Sequence, residues 1–186
     1  MSALAYDQLR ADLAEDGWHV PGGRWGFWLR LGRALLTGRG SKGLMCLLRT
    51  RGYVRGRGWM RAGNWLGLLM ERRYGCYISP SARIAPGVKF PHPVGIVIGE
   101  GVVVGARAVI YQHVTLGGGR RGDGGSDRYP VLGDDVTVFA GAAVVGKVNV
   151  GARTTIGANA VVLRDLPEAC TAAGVPARVL RRSCTS

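Results

Sequence analysis

The chain has 186 residues, 47% of them hydrophobic and 20% charged, which suffices for a packed core and argues against wholesale disorder. Its formal net charge of +13 suits a nucleic acid, an anionic membrane or a phosphorylated ligand, and the charge alone does not choose among them. The 31 glycines follow no collagen period, so the fold must need repeated tight turns or close approaches.

The start, MSALAYDQLRADLAEDGW, is polar and acidic, and no cleavable signal peptide is expected. Residues 1–77 read as a helical region. Tyr6–Asp16 has helical composition, with Ser2 as a candidate cap, and Arg24–Leu36 is richer in aromatics. Gly43–Leu48 and Met60–Tyr74 follow, separated by the glycine-rich RGYVRGRG, which is expected to break the helix. This region holds 13 Lys/Arg against 5 Asp/Glu and mixes Arg with Trp and Leu. The favoured reading is a helical cap whose Trp and Leu pack on the next domain while its arginines face water. Membrane-surface contact by residues 1–77 is less favoured, and no nucleic-acid motif accompanies the charge. No run of about 18 apolar residues exists, so no spanning helix is expected. Cys46, Cys76, Cys170 and Cys184 are scattered with no CxxC pair, which supports neither a zinc site nor a redox motif. Free thiols in a reducing cytoplasm are the expectation.

From Ile78 a period of six emerges, through Phe90, again from Ile98 to Leu116, and again from Leu132 to Val162. A small or Val residue sits four places on, as at Val102, Ala108, Ala142 and Ala160. A six-residue step fits neither an α-helix at 3.6 nor a strand at 2. It predicts a triangular coil of three short strands, about 18 residues per turn, with the aliphatics stacked inside and Gly-x or Asn-x corners. Residues 78–186 are expected to form this domain.

The period breaks twice. Phe90 to Ile98 is two residues too long, around Pro91-His92-Pro93-Val94-Gly95. Leu116 to Leu132 is ten too long, predicting a protruding loop at 117–130. Loops on a rigid scaffold tend to carry function.

The run from Ile78 to Leu180 resembles the serine acetyltransferase branch of the hexapeptide-repeat acyltransferases. The match rests on HPVGIVIGEGVVVGARAVIYQHVTLGGG, on DRYP at the loop end and on TAAGVPARVL near the C terminus. The resemblance implies a mainly β fold, a left-handed parallel β-helix of hexapeptide repeats with a short α-helical N-terminal region. It also implies acetyl-CoA as acyl donor, a hydroxyl acceptor, no metal, and a homotrimer with active sites between neighbours. A γ-type carbonic anhydrase shares the coil but needs three zinc-bound histidines, and the coil offers only His92 and His113. A catalytically silent scaffold is the remaining alternative.

A hydroxyl is a poor nucleophile at neutral pH, and histidine titrates in the range a general base needs. The resemblance places His92 in that role. It places Gly118 where a backbone N–H stabilises the oxyanion. It assigns Gly117, Gly118, Ala140 and Ala158 to the pantetheine groove. Gly174, Pro176, Ala177 and Arg178 match the segment that closes over coenzyme A, with Arg178, Arg181 or Arg182 suited to its phosphates. His113 lies 21 residues beyond His92 and is expected either to face the same cleft or to be a satisfied coil residue.

Departures from the family pattern bear on the acceptor. The aspartate that orients the histidine is Tyr77 here, and the aspartate before the histidine is Pro91. The loop DRH becomes Asp127-Arg128-Tyr129, keeping the arginine suited to a substrate carboxylate and losing its histidine companion. Two contacts suited to an ammonium group are therefore absent, which disfavours free serine. An amino-acid-like acceptor with its amine missing or masked, or a saccharide hydroxyl, fits better. A backbone carbonyl, Glu100 or a neighbouring subunit must then orient His92.

Overall fold

The computed structural model describes residues 3–19, 23–119 and 128–182; Ser2, most of the 117–130 loop including Asp127, and Cys184 lie outside these. Four helices come first: α1 (Ala3–Glu15), α2 (Arg24–Thr37), α3 (Gly40–Gly56) and α4 (Met60–Tyr74). α3 runs straight through the predicted glycine break. It is the hub that α1, α2 and α4 all contact, and Thr50, Arg51 and Val54 are buried along it. That burial outweighs the cost of roughly 1 kcal/mol for each helical glycine. The chain turns only at Gly58, whose φ of 79° suits glycine.

Five coils follow. The first holds β1 (Tyr77–Ile78), β2 (Arg83–Ile84) and the Lys89 bridge to Val109. The second holds β3 (Val97–Ile98), β4 (Val103–Val104) and β5 (Val109–Ile110). The third holds β6 (Thr115–Gly117), β7 (Val131–Leu132) and β8 (Thr137–Val138). The fourth holds β9 (Ala143–Val145), β10 (Asn149–Val150) and β11 (Thr155–Ile156). The last holds β12 (Val161–Val162) and β13 (Cys170–Ala173), and β14 (Arg178–Arg182) then returns antiparallel on β13.

Equivalent strands pair in parallel into three faces. Face A stacks β1, β3, β6, β9 and β12; face B stacks β2, β4, β7 and β10; face C stacks β5, β8, β11 and β13. The coil is a left-handed parallel β-helix. The aliphatics of the six-residue step are buried throughout, as are Val102, Ala108, Val114, Val136, Ala142 and Ala160. Register across the breaks is kept: Ile78 pairs with Ile98, and Leu116 with Val144. A third irregularity escaped sequence reading. Leu166 bridges Val150, so the step after Val162 is two residues short.

The glycines do a different job from the one expected. Left-handed corners fall three residues after the inward aliphatic and are held mostly by other types: Arg107, His113, Asp135, Arg153, Asn159 and Ala169. The glycines directly after the aliphatic, Gly117 excepted, lie where neighbouring coils touch. A Cβ on Gly105 would sit 2.5 Å from the Gly133 carbonyl carbon.

The helical region is docked on the first coil by its arginines. Arg49 pairs with Asp16 at 2.9 Å and donates to the carbonyls of Ile84 and Ala85, while Asp16 accepts the Gly87 N–H. Ser41 accepts the Phe90 N–H, and Arg51 donates to the Ile78 carbonyl. Arg73 caps the end of α2 through the carbonyls of Leu35 and Leu36. The expected division is thus partly inverted. Several arginines are drawn inward, whereas Trp25, Leu29, Leu36, Trp59 and Trp65 are exposed. The physical reason is that helix ends and the first coil present orphan carbonyls, which guanidinium groups satisfy and indole rings cannot. Among the described residues no helix is long and apolar enough to cross a membrane.

Candidate active site

The corner between faces C and A is where the first register break lies. The bridge from Lys89 to Val109 places Phe90 above Ile110. Two residues beyond the inward aliphatic, successive coils therefore present His92, Gln112, Ala140 and Ala158 along one edge. The Asn159 N–H donates to the Ala140 carbonyl and the Gly141 N–H to the Gln112 carbonyl, tying these corners together. His92 is exposed on its bulge, between the half-buried Pro91 and the buried Pro93.

His113 underpins that bulge. Its backbone N–H donates to the Val94 carbonyl at 2.9 Å, and its ring lies against Gly95, where no Cβ would fit. The geometry thus places His113 beneath the loop that carries His92. Among the described residues no group hydrogen-bonds the His92 imidazole, so neither Tyr77 nor Glu100 orients it within this chain. Tyr77 is exposed on β1, at the outer surface of face A.

An aromatic ladder that sequence reading missed stands beside His92. The Tyr111 ring centroid lies 6.3 Å from that of His92 and 5.0 Å from that of Phe139, with the latter pair stacked at 15°. The available signal was positional, since both aromatics directly follow an inward aliphatic, where glycine often stands. Gln112 was missed too. Its side-chain oxygen is buried without a partner among the described residues, an acceptor that a bound N–H would satisfy.

The other candidates divide between the two edges of face A. At the far edge, Gly117 accepts the Gly146 N–H through its carbonyl, and the Gly118 N–H makes no hydrogen bond among the described residues. An unclaimed backbone donor is what an oxyanion site requires. The Tyr129 ring packs on the backbone of Gly99 and Gly101, so the loop returns to the coil over a glycine shelf. Arg128, beside it, is exposed.

Near His92's own edge, the C-terminal segment closes the coil. The Val161 N–H donates to the Gly174 carbonyl and the Ala177 N–H to the Val161 carbonyl, at 3.0 and 2.8 Å. The Val175–Pro176 bond is cis, and Gly174 takes a φ of 97°. Pro176 and Arg178 are exposed there, following Ala158 along the same end of the coil. The structure therefore gathers His92, Ala140, Ala158, Gly174 and Ala177 along one edge and leaves Gly117, Gly118, Arg128 and Tyr129 at the other. Among the described residues no three His, Cys, Asp or Glu side chains group as metal ligands.

The chain matches no family model. The serine acetyltransferase of Synechococcus elongatus is 47% identical over 109 residues, 59% of this chain and 44% of that relative. That of Haemophilus influenzae is 47% identical over 103 residues, 55% of this chain and 38% of the relative. The chain thus spans less than half the length of these curated relatives. The Neisseria gonorrhoeae serine acetyltransferase structure matches all of this chain, and 69% of its own, at 29% identity and a TM-score of 0.77. A serine acetyltransferase complexed with cysteine matches the whole chain and 69% of its own at 31% identity and a TM-score of 0.76. Another, complexed with CoA, matches 96% of this chain and 71% of its own at 32% identity and a TM-score of 0.72. With helices and coil both matched over more than two thirds of these solved chains, the protein belongs to the serine acetyltransferase family.

Proposed function

We propose that the protein is an acetyl-CoA-dependent O-acetyltransferase of the serine acetyltransferase type, with His92 as general base. The observation that carries this reading is the two-residue bulge, which lifts His92 out of the coil while the strands on either side of it pair in parallel on all three faces. His92 takes the proton from the acceptor hydroxyl as the oxygen attacks the thioester carbonyl. The Gly118 N–H meets the oxygen that gains charge. As the tetrahedral intermediate collapses, the C–S bond breaks and the departing thiolate recovers the proton from His92. Ala140 and Ala158 leave the narrow edge that a pantetheine arm needs, ending near Gly174, Pro176, Ala177 and Arg178. Relatives solved with CoA and with serine support this assignment.

His92 and Gly118 lie at opposite edges of face A, so a second copy of the chain supplies the missing wall. A homotrimer with shared sites satisfies this, and a flat-sided solenoid suits closed cyclic packing. The acceptor is a small amino-acid-like hydroxyl compound held by Arg128. A second reading has its own observation: the Tyr111–Phe139 ladder beside His92 offers a flat apolar surface, on which the ring of a saccharide or natural-product intermediate could lie.

The test is thiol release from acetyl-CoA against serine, homoserine, hydroxy acids and sugars. Turnover with an amino-acid-like acceptor supports the first reading, and turnover with sugars alone supports the second. No turnover with any acceptor contradicts both.

A further inference from the structure

A cleft of about 880 Å³ lies between α1, α3 and face B, and its lining includes neither His92 nor Gly118. This is a ligand-sized volume. Its apolar wall is built from Leu9, Leu48, Ile84 and Val104. Arginine dominates its polar lining. Arg49 is neutralised by Asp16. Arg51, Arg55, Arg57 and Arg83 line the same cleft, and among the described residues none of the four forms an ion pair. Asp12 is the single acidic residue in the lining, and it accepts a hydrogen bond from Gln8.

Arg51 is the anomaly. It is only 8% exposed, it spends one nitrogen on the Ile78 carbonyl, and its Nε has no partner among the described residues. The fold makes room for it deliberately. Arg51 and Arg55, one turn apart on α3, lie over Gly67 and Gly63, one turn apart on α4, where a Cβ would crowd the Arg51 guanidinium and the Arg55 stem. Burial depresses the Arg51 pKa and Arg55 adds to the depression, while Tyr77 and then Glu71 oppose it, Glu71 from beyond ion-pair distance. A buried cation with an unused donor and no counter-charge is costly, and an anion in the cleft would supply both missing partners.

We propose that this cleft binds a phosphate monoester whose apolar body lies on the Leu9–Leu48–Ile84–Val104 wall and whose phosphate meets Arg51 and Arg83. A dianion with three terminal oxygens matches the surplus of unpaired guanidinium groups better than a single carboxylate does. Arg83 is exposed at the cleft and has no partner among the described residues, so it is free to close on the phosphate. The site is separate from the thioester site proposed above, and its test does not depend on acyl transfer.

The experiment is isothermal titration calorimetry of the full chain with phenyl phosphate as probe, in the presence of saturating coenzyme A. Benzyl alcohol and inorganic phosphate serve as partial probes. The expected result is one phenyl phosphate per chain at sub-millimolar affinity, falling steeply with salt. Inorganic phosphate should bind more weakly and benzyl alcohol not at all. Arg83→Ala, an exposed change that leaves the melting midpoint in place, should weaken binding by about fivefold or more. Arg51→Gln should abolish it; should that variant fail to fold, Arg83→Ala decides alone. Absence of phenyl phosphate binding, equal binding of benzyl alcohol, or indifference to Arg83→Ala would each overturn the proposal.

Discussion

Gly105 and Gly117 occupy the same place in the repeat, directly after an inward aliphatic, yet alanine should have opposite effects at the two. At Gly105 the new Cβ would lie 2.5 Å from the Gly133 carbonyl carbon and 2.6 Å from the Asp134 nitrogen, both backbone atoms of the next coil. Ordinary contact begins at 3.4 Å, so the coils must part by nearly an ångström. The Gly105 N–H to Leu132 carbonyl bond spans that gap at 2.9 Å and would be stretched or lost. A lost backbone bond costs about 1 kcal/mol and overpacking about 1–3 kcal/mol. Alanine returns roughly 0.4–1 kcal/mol by restricting the unfolded chain. The net loss is about 2–3 kcal/mol, or a fall of about 5–10 °C in melting midpoint for a chain of this size. At Gly117 a Cβ meets nothing within 4 Å. Gly117→Ala should therefore melt at or slightly above the wild type. Its methyl projects beside the proposed oxyanion donor, so thiol release should fall by about tenfold or more, equivalent to about 1.4 kcal/mol in the barrier. Thermal melts at one fixed protein concentration, paired with thiol-release rates, read both effects. Equal melting of the two variants would refute the assignment of Gly105 to close approach between coils.

Further outcomes concern the docking of the helices and the buried thiols. Arg49→Met removes the partner of an Asp16 side chain that is 0% exposed and should cost about 3–5 kcal/mol, with Asp16→Asn in the same chain recovering part of the loss in denaturant titration. Burial pushes the Cys46 thiol up to about 12 and also raises Cys76, so neither thiol should react with a thiol reagent in the native Cys184→Ser variant. Because the folded pKa of Cys46 lies above its unfolded value, its contribution is complete below pH 9 and is lost as pH rises toward 12. The slope approaches about 1.4 kcal/mol per pH unit and should be shallower in Cys46→Ala.

The coil was legible because its signal is periodic and redundant. Each inward aliphatic from Ile78 to Val162 is buried, and the strands on either side of each interruption pair with their equivalents in the neighbouring coils. The shortened step before Leu166 was not legible, since a single missing pair of residues near the end has no later repeat to expose it. The helical region misled for a different reason. Composition cannot tell an arginine that faces water from one that caps a carbonyl 35 residues away, as Arg49 does at Ile84. Nor does a glycine-rich stretch break a helix whose other side is buried, as α3 shows through Gly52. At the candidate site, His92 stood out because it interrupts the period. Tyr111, Gln112 and Phe139 keep the period and became visible only when stacking brought them to the same edge.

The most direct test of the account is the rate of thiol release from acetyl-CoA, with the best acceptor, by His92→Asn against the wild type. His92 is exposed and makes no hydrogen bond among the described residues, so the substitution should leave the melting midpoint unchanged. Loss of a general base should lower the turnover rate by about 10²–10⁴-fold with a smaller change in KM. A folded His92→Asn variant that keeps wild-type turnover would contradict the central claim that the bulge in the coil exists to present this histidine.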